Sequence, residues 1–109
     1  MKTLEEYEKM GFNDAEMHQI KLGLERGLDV DIYADTSYDD RQMEQIRLGL
    51  EENLDVSLYA DPYFDADQME QIRIGLEEGL EAEAYADSGY DAIEMEEMRM
   101  AMEDDYYDK

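Results

Sequence analysis

The chain has no cysteine and no tryptophan, and only one histidine (His18) and one proline (Pro62). Without cysteine there can be no disulfides and no thiolate metal site, which fits a reducing cytoplasm. Acyl-transfer and phosphate-binding signatures are missing too, with neither a GxSxG elbow nor a glycine-rich phosphate loop. The N-terminal stretch "MKTLEEYEKM" lacks the apolar run of a secretion signal, and no segment approaches the roughly 18 apolar residues of a membrane span. These absences predict a soluble cytoplasmic protein that is not an enzyme and binds no cofactor.

Positive charge is scarce as well. Nine basic residues stand against 32 acidic ones, for a net charge of −23. Chains this acidic are often disordered for want of apolar residues, but here 43% of residues are hydrophobic and they recur regularly, so folding is expected. The length, 109 residues, suits one domain with a modest core. Such a surface repels nucleic acid and anionic membranes and attracts a basic protein partner at long range.

The regularity is a repeat. Met17, Met43, Met69 and Met95 lie 26 residues apart, and Ile20/Ile46/Ile72/Met98, Leu24/Leu50/Leu76/Met102 and Tyr33/Tyr59/Tyr85 follow the same period. Tyr7 and Phe12 extend it to the N-terminus as the counterparts of Tyr33 and Tyr38. The chain divides into a half unit (1–12), repeats 13–38, 39–64 and 65–90, and a truncated unit 91–109. A fixed period of this size marks a stacked array in which no unit buries its apolar face alone.

Each unit opens with a helix start. Asn13, Asp39, Asp65 and Asp91 each stand three residues before Glu16, Gln42, Gln68 and Glu94, a variant of the capping box. The stops are Gly27, Asn53 and Gly79, which tolerate a left-handed C′ position, followed by Leu28, Leu54 and Leu80 as in a Schellman ending. This spacing predicts helices near 14–26, 40–52, 66–78 and 92–104, of about 12 to 14 residues, and no sheet. "LDVDIYAD", "LDVSLYAD" and "LEAEAYAD" each read as an Asp or Glu cap followed by one helical turn. Met17, Ile20 and Leu24 share an arc with Gly23, while Leu22 points away, so each long helix is expected to be sandwiched between neighbours. The Gly23/Gly49/Gly75 column is read as a close helix–helix approach, since glycine otherwise costs helix propensity. The fold class is all-α: a short α-solenoid-like stack, right-angled or hairpin, of long helices alternating with short ones.

The string "QMEQIRLGLEENLDVSLYADPYFD" resembles short acidic helical tandem repeats, of the form QMEQIRLGLEEGLDVSxYADPxFD, in proteins of phages and mobile elements of anaerobic Gram-positive bacteria. The likeness covers roughly residues 12 to 102 and implies no activity.

For sites, the histidine column is otherwise Glu44, Glu70 and Glu96, so His18 reads as a solvated surface residue. Asp29, Asp31 and Asp40 fall at positions 1, 3 and 12 of an EF-hand count, but Ala34 stands where the loop needs glycine, and no metal site is assigned. Columns 14/40, 18/44/70/96 and 25/51/77/103 form a polar stripe beside Lys21/Arg47/Arg73/Arg99, with each arginine expected between carboxylates such as Glu44 and Glu51. A second edge carries Glu52, Glu78, Glu97 and Asp104. A four-helix rod would be roughly 40 Å long, about one net charge per 1.7 Å, the axial density of duplex DNA.

Two readings follow. One is a nucleic-acid-mimicking inhibitor that occupies the basic DNA or guide groove of a CRISPR or restriction nuclease, without contacting nucleic acid itself. The other is a non-catalytic helical-repeat module for protein–protein interaction. The partner-binding candidates are Glu51, Glu52, Glu77, Glu78, Glu81, Glu83, Glu96, Glu97, Glu103, Asp104, Asp105, Tyr106 and Tyr107. Their acidic members concentrate in residues 62–109, which hold 16 acidic and 3 basic residues against 16 and 6 in 1–61.

Overall fold

The computed structural model describes residues 2–107, with side chains as far as Asp104. Five α-helices alternate with single turns of 3-10 helix: α1 (Leu4–Glu8), α2 (Asp14–Glu25), a turn at Val30–Ile32, α3 (Asp40–Glu51), a turn at Val56–Leu58, α4 (Ala66–Glu77), a turn at Ala82–Ala84 and α5 (Ala92–Tyr107). No strand occurs among the described residues. The protein is an all-α stack in which consecutive helices pack on one another.

Helix starts form as the sequence dictates. Asn13, Asp39 and Asp65 accept the N–H of Glu16, Gln42 and Gln68 at 2.8 Å, and those side chains accept the cap N–H in return. Asp91 and Glu94 do the same for α5. A fifth box, Thr3 with Glu6, starts α1. That short helix stands 26 residues before the turn at Val30–Ile32 and is its counterpart. Helix ends also agree. Gly27, Asn53 and Gly79 have φ of 71°, 58° and 74°. The N–H groups of Leu28, Leu54 and Leu80 donate to the carbonyls of Gly23, Gly49 and Gly75 at 2.9 Å, closing a Schellman motif three times. α5 lacks this stop and runs on to Tyr107. The expected caps of the 3-10 turns hold only for Asp55, which accepts from the Ser57 N–H; Asp29 and Glu81 make no such bond.

The core is a spine of one Met, one Ile and one Tyr per unit. Tyr7, Tyr33, Tyr59, Tyr85, Met43, Met69, Met95, Ile20, Ile46 and Ile72 are fully buried. Each buried Met or Ile contributes about 1.5–3 kcal/mol. The hydroxyls of Tyr33, Tyr59 and Tyr85 reach back 14 residues and donate to the carbonyls of Gln19, Gln45 and Gln71 at 2.7 Å. This contact revises the glycine column. A Cβ on Gly23, Gly49 or Gly75 would collide with that tyrosine hydroxyl, and at Gly49 it would also lie 2.6 Å from Val56 Cγ1. The close approach is therefore made by each unit's own 3-10 turn, and not by the neighbouring long helix.

Neighbouring long helices run parallel. Arg41 in the first turn of α3 reaches Asp67 in the first turn of α4 at 3.0 Å, and Arg26 at the end of α2 reaches Glu51 at the end of α3 at 3.1 Å. Within each unit the 3-10 turn folds back on its own long helix, and it and the flanking link return the chain to the starting edge. The stack measures 51 × 25 × 17 Å between Cα extremes. That is longer than the expected 40 Å, and it dilutes the net −23 to about one charge per 2.2 Å against about 1.7 Å for duplex DNA.

Candidate functional site

Parallel packing puts the N-termini of the long helices on one edge of the stack and their C-termini on the other. The carboxylates of the two edges differ in kind. On the N-terminal edge Asp39, Asp65 and Asp91 cap helices, and Asp35, Asp61 and Asp87 accept from the N–H two residues on. A negative charge there complements the helix dipole. Local structure accounts for this acidity.

The C-terminal edge has no such account. Glu51 and Glu52 close α3, Glu77 and Glu78 close α4, and Glu103 and Asp104 lie late in α5. Carboxylates at helix C-termini oppose the dipole, and no basic residue occupies the last turn of these helices. The arginine column answers part of this charge from inside the stack. Arg47 donates through Nε to Gln19 Oε1 of the preceding unit at 2.8 Å and through a terminal nitrogen to Glu51 at 2.7 Å. Arg73 repeats this with Gln45 and Glu77, and Arg99 with Gln71 and Glu103. Arg47 is buried, so this column is an inter-unit link. It is neither part of an outer stripe nor placed between Glu44 and Glu51.

Between units, the same edge shows a change of sign. In the first rung Arg26 meets Glu51. One and two repeats later the Arg26 position holds Glu52 and Glu78, and each faces a glutamate of the next helix. Burial and the charge of Glu77 push the Glu52 carboxyl above the usual range. Glu78 is raised by its hydrogen bond with Glu103, which is correspondingly lowered. Arg99 touches both carboxyls, with Glu78 at 3.4 Å. The stack thus brings like charges together where an ion pair stood one unit earlier.

The structure distributes the other candidates. Glu81 and Glu83 are exposed at the Ala82–Ala84 turn, and Glu96, Glu97 and Asp104 are exposed on α5. Glu51, Glu77 and Glu103 are tied to arginines and Glu78 shares Arg99 with Glu103, whereas Glu81 and Asp104 are exposed and make no ion pair among the described residues. The side chains of Asp105, Tyr106 and Tyr107 lie outside the described residues. His18 is exposed, beside Glu8, Asp14 and Lys21. Asp31 accepts from the Tyr7 hydroxyl at 2.6 Å, which lowers its pKa, and Tyr7 is pushed up to about 12 by burial and that bond. Asp40 is the first residue of α3, directly after its N-cap Asp39. Among the described residues no group of three His, Cys, Asp or Glu could hold a metal ion, and no helix is long and apolar enough to cross a membrane.

Two sets of glutamine bonds escaped the sequence reading. Gln19, Gln45 and Gln71 accept from the next unit's arginine, as above. Gln42 and Gln68, besides closing their capping boxes, donate to Phe64 and Tyr90 carbonyls at 2.6 Å. Recurrence of Gln at the 26-residue period inside an otherwise acidic helix is the signal that could have exposed them. No protein-family model, curated protein or solved structure matches this chain.

Proposed function

We propose that this protein is a non-catalytic, nucleic-acid-mimicking inhibitor whose C-terminal helix edge occupies the basic DNA or guide groove of a nuclease of CRISPR or restriction type. One observation carries the reading. Position 26 holds an arginine that pairs with Glu51, whereas Glu52 and Glu78 at the same position face glutamates, against both the helix dipole and their neighbours. That arrangement lowers the stability of the free protein and gains only when a cationic surface covers it. An elongated stack with about one net charge per 2.2 Å presents such a row to an extended groove. The resemblance of the repeats to those of mobile-element proteins agrees with an antagonist of host nucleases. Glu52, Glu78, Glu81 and Asp104 stand in for phosphates, each facing Lys or Arg of the partner.

The test is a competition assay against a panel of restriction and CRISPR nucleases. Inhibition is expected to compete with DNA, to weaken steeply from about 50 to 300 mM salt, and to disappear when these four carboxylates become Lys with helix content unchanged. Inhibition that survives the charge reversal, or a ternary complex of nuclease, DNA and this protein, would overturn the reading. An interaction module that anchors through Tyr106 and Tyr107 predicts the reverse: loss on Tyr→Ser exchange and indifference to the glutamates.

A further inference from the structure

Each of α2, α3 and α4 is covered on its outer side by the next unit. The residues beneath that cover recur at 26-residue spacing: Gln19, Gln45 and Gln71 are buried, and Leu22, Leu48 and Ile74 are half-buried. On α5 the corresponding face is bare. Met100, at the Ile74 position, is 51% exposed, and Glu97, at the Gln71 position, is exposed with it; Ile93 adds an apolar group, 72% exposed, at a position whose counterparts Arg41 and Asp67 are exposed in the internal units too. Ile93, Glu97 and Met100 are spaced i, i+4, i+7 and form one stripe.

What covers this stripe in the other units is on view three times. The incoming helix lies parallel and packs apolar residues spaced i, i+3, i+7, such as Met43, Ile46 and Leu50. Its arginine at i+4 donates to the glutamine of the helix beneath. On α5 that acceptor is Glu97, a full negative charge with no hydrogen bond or ion pair among the described residues. Asp104 lies at the position from which Arg26 reaches the following helix, so the bare face asks for a second cation there. Met100 suits an adaptable contact, being flexible and polarizable.

We propose that the outer face of α5 is a docking site for a basic amphipathic helix of another protein, laid parallel to α5 with an arginine on Glu97 and a second cation near Asp104. A second copy of this chain is a poor occupant. Its net charge of −23 repels, and Ala101 stands at the glycine column, where an incoming Tyr7 taking the place of Tyr33 would meet a Cβ. This site does not depend on the nuclease-groove reading, because it uses the end of the stack and an apolar contact.

The probe is a fluorescent peptide of residues 39–54 carrying Glu44→Lys, Gly49→Ala and Glu51→Lys, which keeps Met43, Ile46, Arg47 and Leu50 and adds positive charge. Fluorescence anisotropy with the whole protein at about 150 mM salt is expected to show saturable binding. Glu97→Lys or Met100→Lys in the protein, or Arg47→Ala in the peptide, should weaken it at least about tenfold. Glu97→Gln, which restores the acceptor of the internal interfaces, should stay within about threefold. Glu52→Lys with Glu78→Lys should leave saturable binding in place, which separates this site from the acidic edge. The proposal fails if no peptide binds, if the Glu97→Lys and Arg47→Ala forms bind as well as the parent, or if sedimentation shows self-association that Glu97→Lys abolishes.

Discussion

Gly49→Ala tests the packing logic of the whole stack. In an exposed helix this exchange stabilises by about 1 kcal/mol, because alanine loses less backbone freedom than glycine. Here the new methyl would strike the Tyr59 hydroxyl and lie 2.6 Å from Val56 Cγ1. Both groups are buried, and the hydroxyl is held on the Gln45 carbonyl at 2.7 Å. Overpacking of this kind costs about 1–3 kcal/mol, and pushing the hydroxyl off its carbonyl adds about 1 kcal/mol. The net expectation is a loss of about 1–3 kcal/mol, seen as a fall of about 4–8 °C in Tm per kcal/mol by far-UV circular dichroism. Gly75→Ala should cost less, since Ala82 Cβ would sit at 3.2 Å where the second unit has the valine methyl. Tyr59→Phe removes the colliding atom, so the Gly49→Ala/Tyr59→Phe pair should be more stable than the sum of the single losses by at least about 0.5 kcal/mol. A Gly49→Ala protein that melts higher than wild type, or strictly additive single losses, would refute the argument.

Three further expectations follow from the electrostatics. Arg47→Met leaves the Gln19 acceptor unmatched inside the stack and Glu51 with Arg26 alone, and should destabilise by about 1–3 kcal/mol in urea unfolding, whereas Arg41→Met, at an exposed pair, should change stability by less than about 1 kcal/mol. Glu52 is raised in the folded state by burial and by Glu77, so the native protein binds a proton more readily there and stability should rise as pH falls from neutral toward 4.5. Asp31 and Asp35 are lowered by hydrogen bonds from Tyr7 and Ser37, so their stabilisation is lost as pH falls below 3.8; a thermal-melt series without a maximum in mild acid would contradict this. Added salt should raise Tm between about 10 and 300 mM by screening self-repulsion, and a steady fall would oppose it.

Local structure was legible because local signals repeat. An Asp or Asn three residues before Glu or Gln wrote each long helix start, and Gly27, Asn53 and Gly79 wrote the stops, because capping and left-handed backbone depend on residues a few positions apart. The 26-residue period added that units stack and that Met, Ile and Tyr columns form the core. Tertiary structure decided what no single helix contains. Arg47 looks like an outer-stripe residue on a helical wheel, yet its acceptor Gln19 lies 28 residues back, and only parallel packing of the units joins them. The glycine column signals a close approach, but which group approaches depends on how the 3-10 turn folds back onto its own helix. The acidic edge is likewise a product of assembly: Glu52 and Glu78 are ordinary helix-end carboxylates in sequence and become strained neighbours of Glu77 and Glu103 only when consecutive C-termini lie side by side.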